Sequence, residues 1–97
     1  MVEHVIIWTL KEECNTKEVK ENMKKAIESL LGVVPGIVEI RLEINPMETS
    51  NADVLLYSVL ESKDALKNYA THPEHVKVAD DFVRPFVKAK ACFDCEK

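Results

Sequence analysis

Residues 37–44 alternate without interruption, Val38, Ile40, Leu42 and Ile44 against Glu39, Arg41 and Glu43, which is the period of a strand with one face in a core. Residues 2–10 and 53–60 are apolar on both faces. In the first, His4, Ile6, Trp8 and Leu10 back Val5, Ile7 and Thr9; in the second, Leu55, Tyr57 and Val59 oppose Val54, Leu56 and Ser58. Residues 87–95 add a strand that carries Lys88 and Lys90. Between these stretches the period changes. Val19, Met23, Ala26, Ile27, Leu30 and Leu31 recur at helical spacing, with Asn15 and Glu18 as a capping pair and Gly32 as the stop. Pro35-Gly36 marks a turn, and Asn45-Pro46 through Asn51 a polar loop. Ser62 caps a short helix through Ala65, Leu66 and Tyr69. Thr71 and Glu74 form a T-x-x-E capping box that opens another helix, with Pro73 in its first turn and its end before Pro85.

The order β-α-β-β-α-β predicts an α+β, ferredoxin-like fold with a four-stranded antiparallel sheet, one domain over residues 1–97. Strands one and three, apolar on both sides, belong in the centre. Strands two and four carry Glu39, Arg41, Glu43, Lys88 and Lys90 and belong at the edges. Two helices cover only one face of such a sheet, so Val5, Ile7, Leu55, Tyr57 and Val59 face away from them. Each is worth roughly 1.5–3 kcal/mol when buried. A second copy of the same sheet is the simplest cover, so a homodimeric α/β barrel is expected.

Composition narrows the function classes. With 97 residues, 46% hydrophobic and 31% charged, the chain makes one globular core. Its longest apolar run, Val5-Ile6-Ile7-Trp8, is far short of a membrane span. A strand pattern begins within two residues of Met1 without a leader-like segment, so a cytoplasmic location is expected. The net charge is −4, and lysines and acids interleave without a basic stripe, which argues against nucleic acid as a partner. Three cysteines are an odd count, read as reduced thiols. Cys92-x-x-Cys95 lies on a strand, where positions three apart point to opposite faces, and matching ligands for a tetrahedral metal are missing. His72-x-x-His75 with Asp80 likewise lacks a well-placed third ligand.

Residues 66–76 hold the densest chemistry: Tyr69, then His72-Pro73-Glu74-His75. Ala79 and Phe82 follow His75 at i+4 and i+7, so His75 is aimed at the core side of its helix. An imidazole titrating near pH 7, turned into an apolar pocket beside a phenol, is a candidate acid/base site. The competing reading is a core histidine bonded to a backbone carbonyl.

His4 ahead of a hydrophobic strand, Val33-Val34-Pro35-Gly36 after the first helix, Tyr69 with His72-Pro73-Glu74-His75, and a final Phe93-Asp94 together resemble the stress-responsive dimeric α/β-barrel (Dabb) family over nearly the whole chain. The Tyr-x-x-His-Pro-x-His segment is the most specific part. The resemblance implies the dimeric ferredoxin-like barrel. Its olivetolic acid cyclase, a cofactor-free plant polyketide cyclase, implies site roles for His75, Tyr69, His4 and Asp94. It also implies a ligand pocket among Ile6, Trp8, Met23, Ile27, Ile40, Leu56 and Phe82. Ile27 stands where the cyclase has a tyrosine, Met23 and Lys24 replace its aromatic neighbours, and Trp8 replaces a smaller residue. Lys90 shares a strand face with Asp94, adding charge to a wall that the cyclase keeps apolar. Some family members hold a cation at backbone carbonyls after helix one, which maps to Leu31, Val34 and Ile37 and suits a hard ion such as magnesium or sodium.

The expected function is that of a small homodimeric barrel binding or transforming a carbonyl-containing, polyketide- or aromatic-like molecule by cofactor-free acid/base chemistry. His75 would be the base or acid, Tyr69 would polarise the carbonyl, and Asp94 or His4 would orient the imidazole, with contact between Asp94 and His75 expected. The alternative is a non-catalytic, stress-associated assembly protein.

Overall fold

The computed structural model describes all 97 residues. Strands β1 (Val2–Leu10), β2 (Ile37–Glu43), β3 (Val54–Leu60) and β4 (Val87–Glu96) form one antiparallel sheet in the order β2-β3-β1-β4. The doubly apolar strands are indeed central and the charged ones are edges. Helices α1 (Lys17–Glu28), α2 (Lys63–Thr71) and α3 (Pro73–Val78) pack on one face. Register sets Ile6 of β1 between Leu56 and Cys92, and His4 between Ser58 and Asp94. The core is formed where Met23 and Ile27 of α1, with Leu30 just past its end, meet Trp8, Leu42, Leu56 and Leu60 of the sheet. This is the ferredoxin-like α+β arrangement.

Four local expectations are corrected. The cap of α1 is Thr16, whose hydroxyl accepts from the Val19 N–H at 3.2 Å; Asn15 donates to Asp53. Thr71 ends α2, and α3 is capped by His72, whose Nδ1 accepts from the Glu74 N–H at 3.1 Å. In β2 a register shift between Ile37 and Glu39 turns Val38 outward, 44% exposed, and lets Ile37 pack on the core in its place. The helical stretch from Pro73 is not uniform. Residues Ala79–Val83 form a π turn in which the Arg84 N–H reaches back to the Ala79 carbonyl, followed by a 3₁₀ turn over Arg84–Phe86. The extra residue moves the buried position from Phe82, 37% exposed, to Val83.

The chain turns from α1 into β2 through Gly32 (φ +84) and Gly36 (φ +89). Gly36 lies so close to α2 that an added Cβ would stand 2.7 Å from the Ala65 Cβ. At the β2 edge, Glu28 of α1 accepts from the Leu42 N–H at 2.9 Å. Lys24 donates to the Leu42 carbonyl at 2.8 Å. The outward-facing polar groups of that residue are thus closed off from a further strand.

The other sheet face has no cover. Val5, Leu55, Tyr57 and Val59 are only half-buried, Ile7 is 39% exposed and Phe93, paired with Val5, is 68% exposed. The total surface of 6234 Å² exceeds the roughly 5,600 Å² expected of a folded monomer of this mass.

Candidate functional site

The site follows from where the chain changes element. The inward row of β1 presents His4, Ile6 and Trp8 to the helical layer. Tyr69 sits in the last turns of α2. His72 then leaves the helical region (φ −63, ψ 133), and Pro73, which lacks an N–H, opens α3 at a new angle. That bend folds His75 back over Tyr69, with ring centroids 4.2 Å apart and an interplanar angle of 37°. His4 approaches the same phenol edge-on, with centroids 6.0 Å apart. Tyr69 therefore lies against two imidazoles.

These rings line a cleft of about 570 Å³, with Trp8, Leu66 and Val83 as apolar walls and Arg84, Lys88 and Lys90 on its β4 side. Its volume is within the range of small-molecule sites. A recess of about 40 Å³ extends inward between Trp8, Ile27, Leu56 and Val83. That is little more than a water's share of volume, so a ligand fits only in the outer cleft.

Each ring has a definable state. The His75 Nδ1 lies 3.3 Å from the Ala70 carbonyl, which can only accept, so Nδ1 carries the proton and Nε2 keeps the lone pair. Burial holds the His75 pKa below its ordinary value; the Ala70 bond opposes this, and nearby His4, Arg84 and His72 add to the lowering. His75 is neutral at pH 7. Burial also raises the Tyr69 phenol to about 12, so it stays a donor. The Tyr69 side chain is 3% exposed as a residue, yet its hydroxyl takes no partner within the protein and is not sealed away. His4 donates from Nδ1 to the Asp94 carboxylate across the β1–β4 pair.

Of the expected site residues, the structure brings His4, Ile6, Trp8, Tyr69 and His75 together in one cleft, with Ile27 and Leu56 at its recess. Met23 and Ile40 are not on its walls; both are packed in the core between α1 and the sheet. Phe82 is turned away by the π turn. Asp94 contacts His4, not His75, and no carboxylate acts on His75. Sequence reasoning missed Val83, Arg84, Lys88 and Cys92. Pro85 was the available signal for Val83: it cannot donate to the carbonyl four residues back and its ring crowds that turn, which favours widening just before it.

Two metal questions have geometric answers. Cys95 lies against Glu3, with its Sγ 3.5 Å from Oε1, whereas Cys92 lies near His4 and Asp94. The Cys92-x-x-Cys95 pair is thus split between faces. His4, Cys92 and Asp94 do offer one N, one S and one O donor within 4.8 Å, a set suited to a borderline ion such as zinc. The His4–Asp94 hydrogen bond must open for it. Leu31 and Val34 lie on the α1–β2 turn and Ile37 opens β2; none of them lines the cleft.

The sequence model of the stress-responsive A/B barrel domain matches residues 2–97. A dimeric protein of unknown function with a ferredoxin-like fold from Bacteroides fragilis is similar at 29% identity and TM-score 0.90. The match covers 99% of this chain and 95% of that one. An Arabidopsis thaliana protein is similar at 22% identity and TM-score 0.85, over 100% and 95% of the chains. The hydroxynitrile lyase from Passiflora edulis shares the fold at 13% identity and TM-score 0.81, over 97% and 90%. None of the curated proteins matches the sequence.

Proposed function

The chain belongs to the stress-responsive A/B barrel domain family, and from that premise we propose that it is a homodimer that binds a small carbonyl compound and moves a proton beside the carbonyl without a cofactor. The observation that carries this reading is Tyr69: a buried phenol, held protonated, with no internal partner for its hydroxyl, against two imidazoles on a cleft wall. That hydroxyl opens onto the cleft, so a ligand can take its hydrogen bond. A bound carbonyl oxygen does so, and the same bond strengthens as the oxygen gains charge.

His75 supplies the base. Its proton is tied to Ala70, it is neutral at pH 7, and Nε2 is free to take a proton from the carbon next to the carbonyl. The pair of electrons left behind moves onto the carbonyl oxygen at Tyr69. Reprotonation by the resulting imidazolium completes the transfer. The His4–Asp94 pair holds a second imidazole in one tautomer against Tyr69, where it steadies the same developing charge.

The dimer is proposed from the uncovered sheet face. An apolar stripe of Val5, Ile7, Leu55, Val59 and Phe93 is of the kind that a two-fold copy covers. The Bacteroides fragilis protein is described as dimeric. Exchange of the methylene protons of acetylacetone with deuterated water, followed by proton NMR, tests the acid/base reading. The wild-type protein accelerates exchange and Tyr69→Phe removes about 10²–10³-fold of that acceleration. Wild-type exchange no faster than that of the His75→Ala protein sinks the reading and leaves the assembly function in its place.

A further inference from the structure

The cleft has a charge pattern that runs against the rest of the molecule. The chain carries a net −4, yet the β4 side of the cleft shows only cations, Lys88 and Lys90, with Arg84 beside them. The acids nearby are already engaged. Asp94 accepts from His4, and Asp80 pairs with Arg84. Neither Lys88 nor Lys90 has a carboxylate partner anywhere in the structure.

The cause is the strand period. Lys90, Cys92 and Asp94 alternate onto the helix side of β4 and Lys88 stands at the bulge between Val87 and Ala89, but the helices stop short of this edge strand, and all four remain exposed. Lys88, Lys90 and Cys92 border the outer cleft, the part with room for a ligand, whereas the inner recess is closed by Trp8 and Ile27. Two unopposed ammonium groups stand there beside an apolar wall and a neutral base.

We propose that the ligand of this cleft is an anionic amphiphile, a carboxylate on an aryl or alkyl body, with Lys88 and Lys90 reading the carboxylate. This rests on the cleft being the ligand site and adds the class of ligand it selects. The apolar body lies on Trp8, Leu66 and Val83, and the carboxylate turns toward β4. A reacting carbonyl between the two ends reaches Tyr69. A lysine pair suits this task because the ammonium is a mobile point charge that tolerates several carboxylate positions.

Phenylpyruvate and its uncharged amide form the test pair, read by the indole resonance of Trp8, the only tryptophan of the chain. Phenylpyruvate is expected to shift that resonance and to bind about fivefold to tenfold tighter than the amide, as two partly exposed ion pairs give. Added salt narrows the gap. Lys88→Ala/Lys90→Ala removes it and Lys88→Glu/Lys90→Glu reverses it. Both variants keep the wild-type fold by far-UV circular dichroism, since both lysines are exposed on an edge strand. Equal affinity for acid and amide, or a preference that survives in the double variants, overturns the proposal. Absence of any Trp8 shift with either probe overturns it too. Lost acetylacetone exchange with the acid preference intact removes the catalytic reading and leaves charge selection standing.

Discussion

The two faces of this sheet each hold a tyrosine, and the two are opposites. Tyr57, on the open face, is half-buried and fully engaged: its hydroxyl donates to Glu3 Oε2 at 2.5 Å and Arg41 lies over its ring at 4.3 Å. Tyr69, on α2 against the covered face, is almost wholly buried, and its hydroxyl has no protein partner but opens onto the cleft. Apolar side chains left bare around a satisfied tyrosine support the proposed second copy on that face. A phenol whose hydroxyl opens onto a walled cleft supports the proposed small-molecule site. The comparison teaches that hydrogen-bond accounting, more than burial, separates the two uses of one sheet.

The largest effect that tests this separation is His75→Ala. Exchange of acetylacetone protons is expected to fall by about 10²–10⁴-fold, while sedimentation still gives a dimer. Rate should also rise with pH through the lowered His75 value and then stay level until Tyr69 ionises near 12. On the open face the outcome inverts. Ile7→Glu places a charge in the proposed dimer seam, and sedimentation equilibrium should move toward the 11.0 kDa protomer. A dimer that survives this change, or a His75→Ala protein that loses its dimer, erases the distinction between the faces.

Much of this was legible along the chain, and the failures share a cause. Strand order, the bare face and the turn of His75 toward Tyr69 follow from period and from residue type. Val38 and Phe82 were misplaced because a bulge and a π turn each add one residue to a period, and a period carries no mark of an inserted residue. The Asp94–His4 pair depends on β1–β4 register, which is set by tertiary packing. His72 took the cap from Thr71 because its imidazole nitrogen accepts as a hydroxyl would, at the position where Pro73 already bars the helix from continuing. The lysines of β4 were visible as edge-strand charges. Their place beside the cleft was not, since it depends on where the helices end.

A smaller effect probes the covered layer alone. Gly36→Ala forces a side chain into a positive-φ position and against Ala65 of α2. Strain and overpacking together predict a loss of about 2–4 kcal/mol, read as a lower denaturant midpoint. Arg41 and Tyr57 on the open face stay as they are, so the folded protein should remain dimeric below the transition. Gly32→Ala has the same φ penalty without the contact, and should cost less.

The smallest effect is the pH dependence of stability, and it separates the faces in sequence. His75, under cover, has a folded pKa below its ordinary 6.5, chiefly through burial. Its contribution is complete above that value and is lost as pH falls through the folded pKa, because the unfolded chain takes up the proton first. Glu3, on the open face, is also lowered from 4.5, chiefly by the Tyr57 hydroxyl. Its window therefore opens only below that carboxylate value. Glu28 is lowered into the same acid range, with the Lys24 and Leu42 N–H bonds outweighing a larger opposing burial cost. Mild acid thus acts on the helix-covered side before it reaches the open face. Thermal melts from pH 7 to pH 5 should show a shallow fall in wild type that flattens in His75→Gln. Glu3→Gln should alter only the steeper fall below pH 4.5. A His75→Gln profile that keeps the upper limb would mean that this imidazole is not held neutral by its surroundings, and the base assigned to the cleft would lose its physical ground.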